Sequence, residues 1–240
     1  MFTAISPTYD KLNHVLSFNI DKRWRRKTVA AIAHIASDPI QVLDVCAGTF
    51  DLSLDTLARF SAAQITAVDF SAGMLQSGLE KIKGKNITPV CADALNLPFE
   101  NGRFDVAVCG FGMRNLDDKA KGLAELRRVL KPGGQLLVLE FFKPSSFLSR
   151  LFNKTYAEHI LPSLGKFISG NKAAYTYLRD SIRGFLTTEE FKVLLQAQGF
   201  ENVKIKNFVF GIASCVSGIC TPSQPPLKLR GGGEAGGVTK

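Results

Sequence analysis

The sequence predicts an α/β fold: a doubly wound, mostly parallel sheet with helices on both faces. Three observations carry this expectation. Short apolar runs alternate with helix-period patterns from about residue 23 to residue 211. The runs are apolar throughout, as in strands covered on both faces. The first run ends in a glycine-bearing loop, "VLDVCAGTFDLS" (42–53), that opens directly into a helical pattern.

Each element has its own signal. "RWRRKTVAAIAHIA" (23–36) reads as a helix with a basic start and an apolar stripe. "QVLDVC" (41–46) is a buried strand, and "DLSLDTLARF" (51–60) is a helix. "QITAVD" (64–69) is a strand, followed by the helix "SAGMLQSGLEKIK" (71–83), whose Ser71 is a natural N-cap. "ITPVCAD" (87–93) and "RFDVAVCG" (103–110) are strands. "KAKGLAELRRVL" (119–130) is a helix that "KPGG" is expected to stop, and "QLLVLEFF" (135–142) is the next strand. Residues 145–170 carry two apolar stripes at helical spacing, too apolar for a plain loop. That segment reads as a lid over an apolar substrate or as a membrane-facing insertion. The helix "TTEEFKVLLQAQGF" (187–200) and the strand "VKIKNFVFG" (203–211) complete the pattern. The expected domain therefore spans residues 1–213. Residues 214–240 are expected to form an atypical disordered tail, rich in Pro and Gly beyond "ASCVSGIC".

Bulk properties narrow the function. The 240 residues fit one domain, and 45% apolar residues with eighteen Phe supply a large core. The net charge of +9 favours an anionic partner or surface. An aromatic-interleaved basic platform is missing, so no nucleic-acid partner is expected. The five Cys are odd in number and form no CxxC pair, and the three His are scattered. A disulfide framework and a metal site are therefore not expected. No apolar run reaches the roughly 18 residues that span a bilayer, and the start shows no signal pattern. The expected location is cytoplasmic, peripheral on the inner face of the cytoplasmic membrane.

The loop at Asp44–Asp51 sits where open parallel sheets bind ligands. A dinucleotide site wants GxGxxG, and the sequence offers Gly48, Phe50 and Ser53 at those positions. The Walker pattern GxxxxGK[ST] is absent. Asp69, ending the second strand roughly 20 residues beyond Gly48, is placed for a ribose diol. Asp93, ending the third, is placed for an exocyclic adenine amine. Adenosine without a pyrophosphate fits this set. S-adenosylmethionine is such a molecule, and its cationic groups suit acids such as Asp44 near the loop. A bulky side chain tolerates positive φ poorly. Phe50 is therefore expected to keep negative φ, with its ring packed inward.

Longer motifs make a family resemblance specific. "YDKLNHVLSFNIDKRWR" (9–25) and "RRVLKPGGQLLVLEFFKP" (127–144) are similar to the two signatures of the quinone C-methyltransferases of ubiquinone and menaquinone biosynthesis. "DALNLPFENGRFDVAVCGFGMRNLDDKAKGLAEL" (93–126) and "AYTYLRDSIRGF" (174–185) resemble other segments of that family. The resemblance implies a seven-stranded sheet of the class I S-adenosylmethionine-dependent methyltransferase type. It implies C-methylation of a prenylated quinol, with demethylmenaquinol preferred. A ubiquinone precursor and a non-catalytic adenosine binder are the alternatives. It implies cofactor contacts from Thr49, Asp69, Asp93, Ala94 and Gly110, beside Asp44 and Gly48 of the loop. It also implies a catalytic pair, Arg114 and Asn115, facing the cleft, with Arg114 stabilising the developing phenolate and Asn115 orienting it. Tyr9, Asp10, Asn13 and His14 are placed in an N-terminal cover. Phe50, Leu12 and Asn19 depart from the family pattern. So does the end, where a reading-frame change near residue 213 would account for an altered final strand. The basic run "DKRWRRK" (21–27) is expected to dock on an anionic membrane surface.

Overall fold

The computed structural model describes residues 20–33, 39–145 and 172–221. The N-terminal cover around Tyr9–His14, the 145–170 insertion beyond Ser145, and the tail after Thr221 lie outside the described residues.

The first helix, α1 (Ile20–Val29), begins earlier and ends sooner than its apolar stripe suggests. Arg25 is buried and ties α1 forward to the next helix, donating to Asp55 at 2.9 Å and pairing with Asp21 one turn back. Trp24 packs edge-on against Phe141, ring centroids 6.1 Å apart. Then β1 (Gln41–Val45), α2 (Asp51–Arg59), β2 (Gln64–Asp69), α3 (Ala72–Ile82), β3 (Ile87–Cys91) and β4 (Phe104–Gly110) follow as the sequence predicts, within a residue or two. Ser71 caps α3, its hydroxyl accepting from Met74 N, and Asp118 caps α4 (Lys119–Val129) by accepting from Lys121 N at 2.9 Å. These side chains satisfy amides that the first helical turn leaves without partners.

"KPGG" does not separate helix from strand. The chain passes from α4 directly into β5 (Leu130–Glu140). Pairing with β4 jumps from Phe104↔Leu130 to Val106↔Gln135, so Pro132, Gly133 and Gly134 form a bulge. Proline has no amide hydrogen for the ladder, and a bulge is where a strand accommodates it. Two helices follow: α5 (Lys172–Arg183) and α6 (Thr188–Ala197). A capping box between Thr187 and Glu190 opens α6. The chain ends in an antiparallel pair, β6 (Phe200–Phe208) and β7 (Ala213–Cys220).

The strand order is β3-β2-β1-β4-β5-β7-β6. Strands β1 to β5 are parallel, and β7 runs antiparallel between β5 and β6. Helices α1–α3 contribute Trp24, Leu52 and Leu75 to one core layer, while α4 and α6 contribute Leu123, Leu126 and Phe191 to the other. The sheet is thus covered on both faces, as its apolar strands require.

Two expectations are revised here, the boundary at residue 213 and the backbone of Phe50. The final strand, Ala213–Cys220, runs antiparallel to both neighbours and is buried along nearly its whole length. The domain therefore extends past residue 213, and residues 214–220 are not tail. Their small and apolar side chains fit between two strands, which composition alone does not reveal. Phe50 also differs from expectation in its backbone, with φ 69° and ψ 18°, in the left-handed region. Its ring does pack inward and is fully buried. The room comes from Gly78 of α3, where a Cβ would lie 2.6 Å from Phe50 Cδ2. Burial of a whole aromatic ring outweighs a left-handed strain of about 1–3 kcal/mol.

Gly78→Ala should therefore destabilise the fold by ~1–3 kcal/mol in urea unfolding. It should cost less in a Phe50→Gly background, where the ring is gone. An equal cost in both backgrounds would refute the pairing of ring and glycine.

Candidate active site

The carboxyl ends of β1, β2 and β4, with the loop after β3, wall a cleft of about 280 Å³. It lies where the strand order reverses, between β1 and β4, the place where open α/β sheets bind ligands. The loop after β1 folds back on itself because Cys46, Gly48 and Phe50 all have positive φ. That fold aims the Gly48 amide at β2, where it donates to Asp69 Oδ2 at 2.8 Å. Asp69 Oδ1 accepts from Ser71 N at 2.8 Å. One carboxylate therefore locks the β1 loop to the cap of α3. Each of its oxygens has a second lone pair for a ligand hydroxyl. Burial raises the Asp69 pKa, while the Ser71 and Gly48 amides act against the rise.

Of the residues singled out from sequence, Gly48, Asp69, Asp93, Ala94, Gly110 and Asn115 line the cleft. Asp93 Oδ1 accepts from Leu95 N at 2.8 Å, fixing the turn after β3. Gly110 ends β4, where a Cβ would come within 3.2 Å of Leu52 Cδ2. Asp44 and Thr49 are buried behind the wall rather than in it. Asp44 Oδ2 accepts from Ser53 Oγ at 2.5 Å. Its Oδ1 is buried with no hydrogen-bond partner among the described residues. Burial pushes the Asp44 pKa up to about 7; the Ser53 hydrogen bond opposes the rise and the Asp69 charge adds to it.

Asn115 and Arg114 part company. Both belong to the short 3₁₀ turn Met113–Asn115 that follows β4. Asn115 stays in the cleft wall, and its Oδ1 accepts from Tyr177 Oη of α5 at 2.9 Å. Arg114, expected to face the cleft, is instead buried in an ion pair. Its side chain is 6% exposed and its Nη1 donates to Glu140 Oε1 at 2.6 Å. The same nitrogen donates to the Phe111 carbonyl at 2.6 Å, and Nε donates to Ser181 Oγ at 3.3 Å. Glu140, at the end of β5, is wholly buried and also accepts from the backbone amides of Arg114 and Phe141. A carboxylate removed from water requires a cation and hydrogen bonds, and Arg114 meets that need.

Sequence reasoning passed over Glu140 and Tyr177. An acid closing an apolar run, "LLVLE", repeats the pattern of Asp44 and Asp69 and was the available signal for Glu140. Nothing in the sequence marks Tyr177 within its helix. Cys46 also lines the cleft. It shares a hydrogen bond with Cys109, which together with burial holds the Cys109 thiol well above its ordinary pKa.

The acids fit a cationic adenosine cofactor. Asp69 and Asp93 put two carboxyl groups in the cleft wall with Asp44 buried behind it, a donor set that suits a cation better than a pyrophosphate. The strand order and the acid-lined switch point define an α/β methyltransferase of class I. Solved structures agree on the fold. A SAM-dependent methyltransferase of Thermotoga maritima matches with TM-score 0.64 at 19% identity over 92% of this chain and 98% of that one. The phosphoethanolamine N-methyltransferase 2 of Haemonchus contortus, in complex with S-adenosyl-L-methionine, matches with TM-score 0.63 at 14% identity over 83% of this chain and 53% of that one.

The chain belongs to the ubiE/COQ5 methyltransferase family, which it matches over residues 1–220. It is 42% identical over 216 residues to the demethylmenaquinone methyltransferase of Thermus thermophilus, covering 89% of this chain and 97% of that protein. It is 40% identical over 215 residues to the demethylmenaquinone methyltransferase of Deinococcus radiodurans, covering 89% and 88%. A protein of Geobacter sulfurreducens named ubiquinone/menaquinone biosynthesis C-methyltransferase UbiE is 41% identical over 224 residues. The family match runs through β7 to residue 220.

Arg114→Ala would leave Glu140 buried and unpaired, so chemical unfolding should show a loss of ~3–5 kcal/mol. Arg114→Met combined with Glu140→Leu should lose less. Wild-type stability in Arg114→Ala would remove the structural role given to the pair.

Proposed function

We propose that this protein transfers a methyl group from S-adenosylmethionine to a ring carbon of a prenylated quinol, with demethylmenaquinol as the acceptor. The observation that carries this reading is one cleft that pairs an acid-lined cofactor end, Asp69 and Asp93, with the amide of Asn115. The names of the relatives from Thermus and Deinococcus support the choice of quinol.

The cofactor supplies an electrophilic methyl on a sulfonium. Asp69 would accept from the ribose hydroxyls and Asp93 from the adenine amine of the bound cofactor. Gly48 and Gly110 line the cleft, and Met74 and Ala94 give it an apolar wall. Asp44 acts from behind the loop, through its charge. A quinol carbon becomes nucleophilic as the neighbouring hydroxyl ionises, and a phenol-like pKa of about 10 opposes that at neutral pH. Asn115 offers an amide donor to the oxygen on which negative charge develops. Arg114, neutralised by Glu140, holds the turn that carries Asn115.

The acceptor's prenyl tail places it in a bilayer. No described helix is long and apolar enough to cross a membrane. Lys22, Arg23, Arg26 and Lys27 are exposed along α1, a basic face that supports docking on anionic lipid.

Two outcomes are expected. In calorimetry, S-adenosylmethionine binding should weaken as pH falls below about 7. A cation favours ionised Asp44, and below its folded pKa a proton must first leave. Asp44→Asn should flatten that part of the profile; an unchanged profile would remove Asp44 from the cofactor end. In a methyl-transfer assay on reduced demethylmenaquinone held in vesicles, the protein should be active, and faster with anionic than with neutral lipid. Asn115→Ala should slow turnover by ~10²–10³ with cofactor affinity kept. No transfer despite cofactor binding would refute the acceptor, equal rates in both lipids the docking, and parallel losses of rate and affinity the role of Asn115.

A further inference from the structure

We infer that Tyr177 is a positioning residue for methyl transfer: its hydroxyl sets the Asn115 amide so that Nδ2 is presented to the acceptor oxygen. The inference rests on the reading of the cleft as one that methylates a quinol.

Three observations lead to it. Tyr177 Oη donates to Asn115 Oδ1 at 2.9 Å, and Asn115 is part of the cleft wall. An asparagine amide has an acceptor end and a donor end and rotates broadly between them. A hydroxyl donor on Oδ1 selects the orientation that turns the two N–H donors away from Tyr177. The same hydrogen bond polarises the amide, so the chain Tyr177 O–H to Asn115 C=O strengthens what Nδ2 donates to an anionic oxygen.

The second observation is the seat of Tyr177. Ser181 lies four residues on, the same face one turn along α5, and its Oγ accepts from Arg114 Nε at 3.3 Å. Adjacent residues of the Met113–Asn115 turn are thus gripped by two residues of one helix face. Third, Arg114 is anchored on the other side to Glu140. The turn is fixed between β5 and α5, so the amide of Asn115 has a rigid base and one adjustable torsion, which Tyr177 sets.

The test compares wild type, Tyr177→Phe, Asn115→Ala and the double variant on reduced demethylmenaquinone in vesicles. Tyr177→Phe should lower kcat about tenfold, the size expected for one hydrogen bond. Its quinol KM and S-adenosylmethionine affinity should stay at wild-type values. The rise of rate with pH should move to higher pH, because a weaker donor leaves the acceptor harder to ionise. A purely structural tyrosine would not move that limb. The double variant should be no slower than Asn115→Ala, since both substitutions remove one device. A wild-type rate and pH profile in Tyr177→Phe, or losses that multiply in the double variant, would overturn the inference. If wild type does not methylate the quinol, the acceptor reading fails separately. The Asn115 side-chain amide resonance of isotope-labelled protein, assigned by its absence in Asn115→Ala, then decides. A changed resonance in Tyr177→Phe supports the positioning contact, and an unmoved one overturns it.

Discussion

Glu140 ends the longest strand with no exposure to water, and its carboxylate accepts from Arg114 Nη1, Arg114 N and Phe141 N. A buried charge in this position must be compensated almost completely, because the desolvation of an unpaired carboxylate amounts to several kcal/mol. That demand fixes the turn after β4. It fixes α5 as well, since Arg114 Nε reaches Ser181 Oγ. The Arg114 guanidinium also lies 5.8 Å from the Phe141 ring centroid, and Phe141 packs against Phe111 with centroids 4.7 Å apart. The Met113–Asn115 turn, whose Asn115 lines the cleft, is anchored by this ion pair.

The cofactor side is held by a different carboxylate. Asp69 accepts from two backbone amides, one from the loop after β1 and one from the start of α3. A family-like loop is kept in shape although Phe50 replaces a glycine. The left-handed backbone at Phe50 is stabilised by what its ring does on the far side, in the notch left by Gly78. The substitution thus lies in the core rather than in the cleft, and the amide of Gly48 still points where the fold requires it.

The two sides meet at Asn115, in line with the switch between β1 and β4. That switch is the place where open α/β sheets bind ligands, and the described cleft lies there. Asp44 adds a charge that burial keeps near the protonation boundary. A cation placed near it would favour its ionised form.

Much of this was legible in the residues. Strands β1, β2 and β4, the cap Ser71, and the acids at the strand ends follow from local patterns: apolar runs, a hydroxyl cap and chain reversal. Periodicity and capping act over a few residues, so the sequence by itself determines them, and the long motifs add the family. Other features needed the fold. Ala213–Cys220 reads as small, mixed residues until β5 and β6 flank it. Arg114 and Asn115 are neighbours in sequence with equal claim to the cleft. Glu140, reached through the sheet, draws one away, and Tyr177, reached through α5, holds the other. Phe50 looks forbidden until Gly78 stands opposite. These outcomes depend on desolvation and on packing between segments far apart in the chain, and those forces exist only once the tertiary structure has brought the segments together.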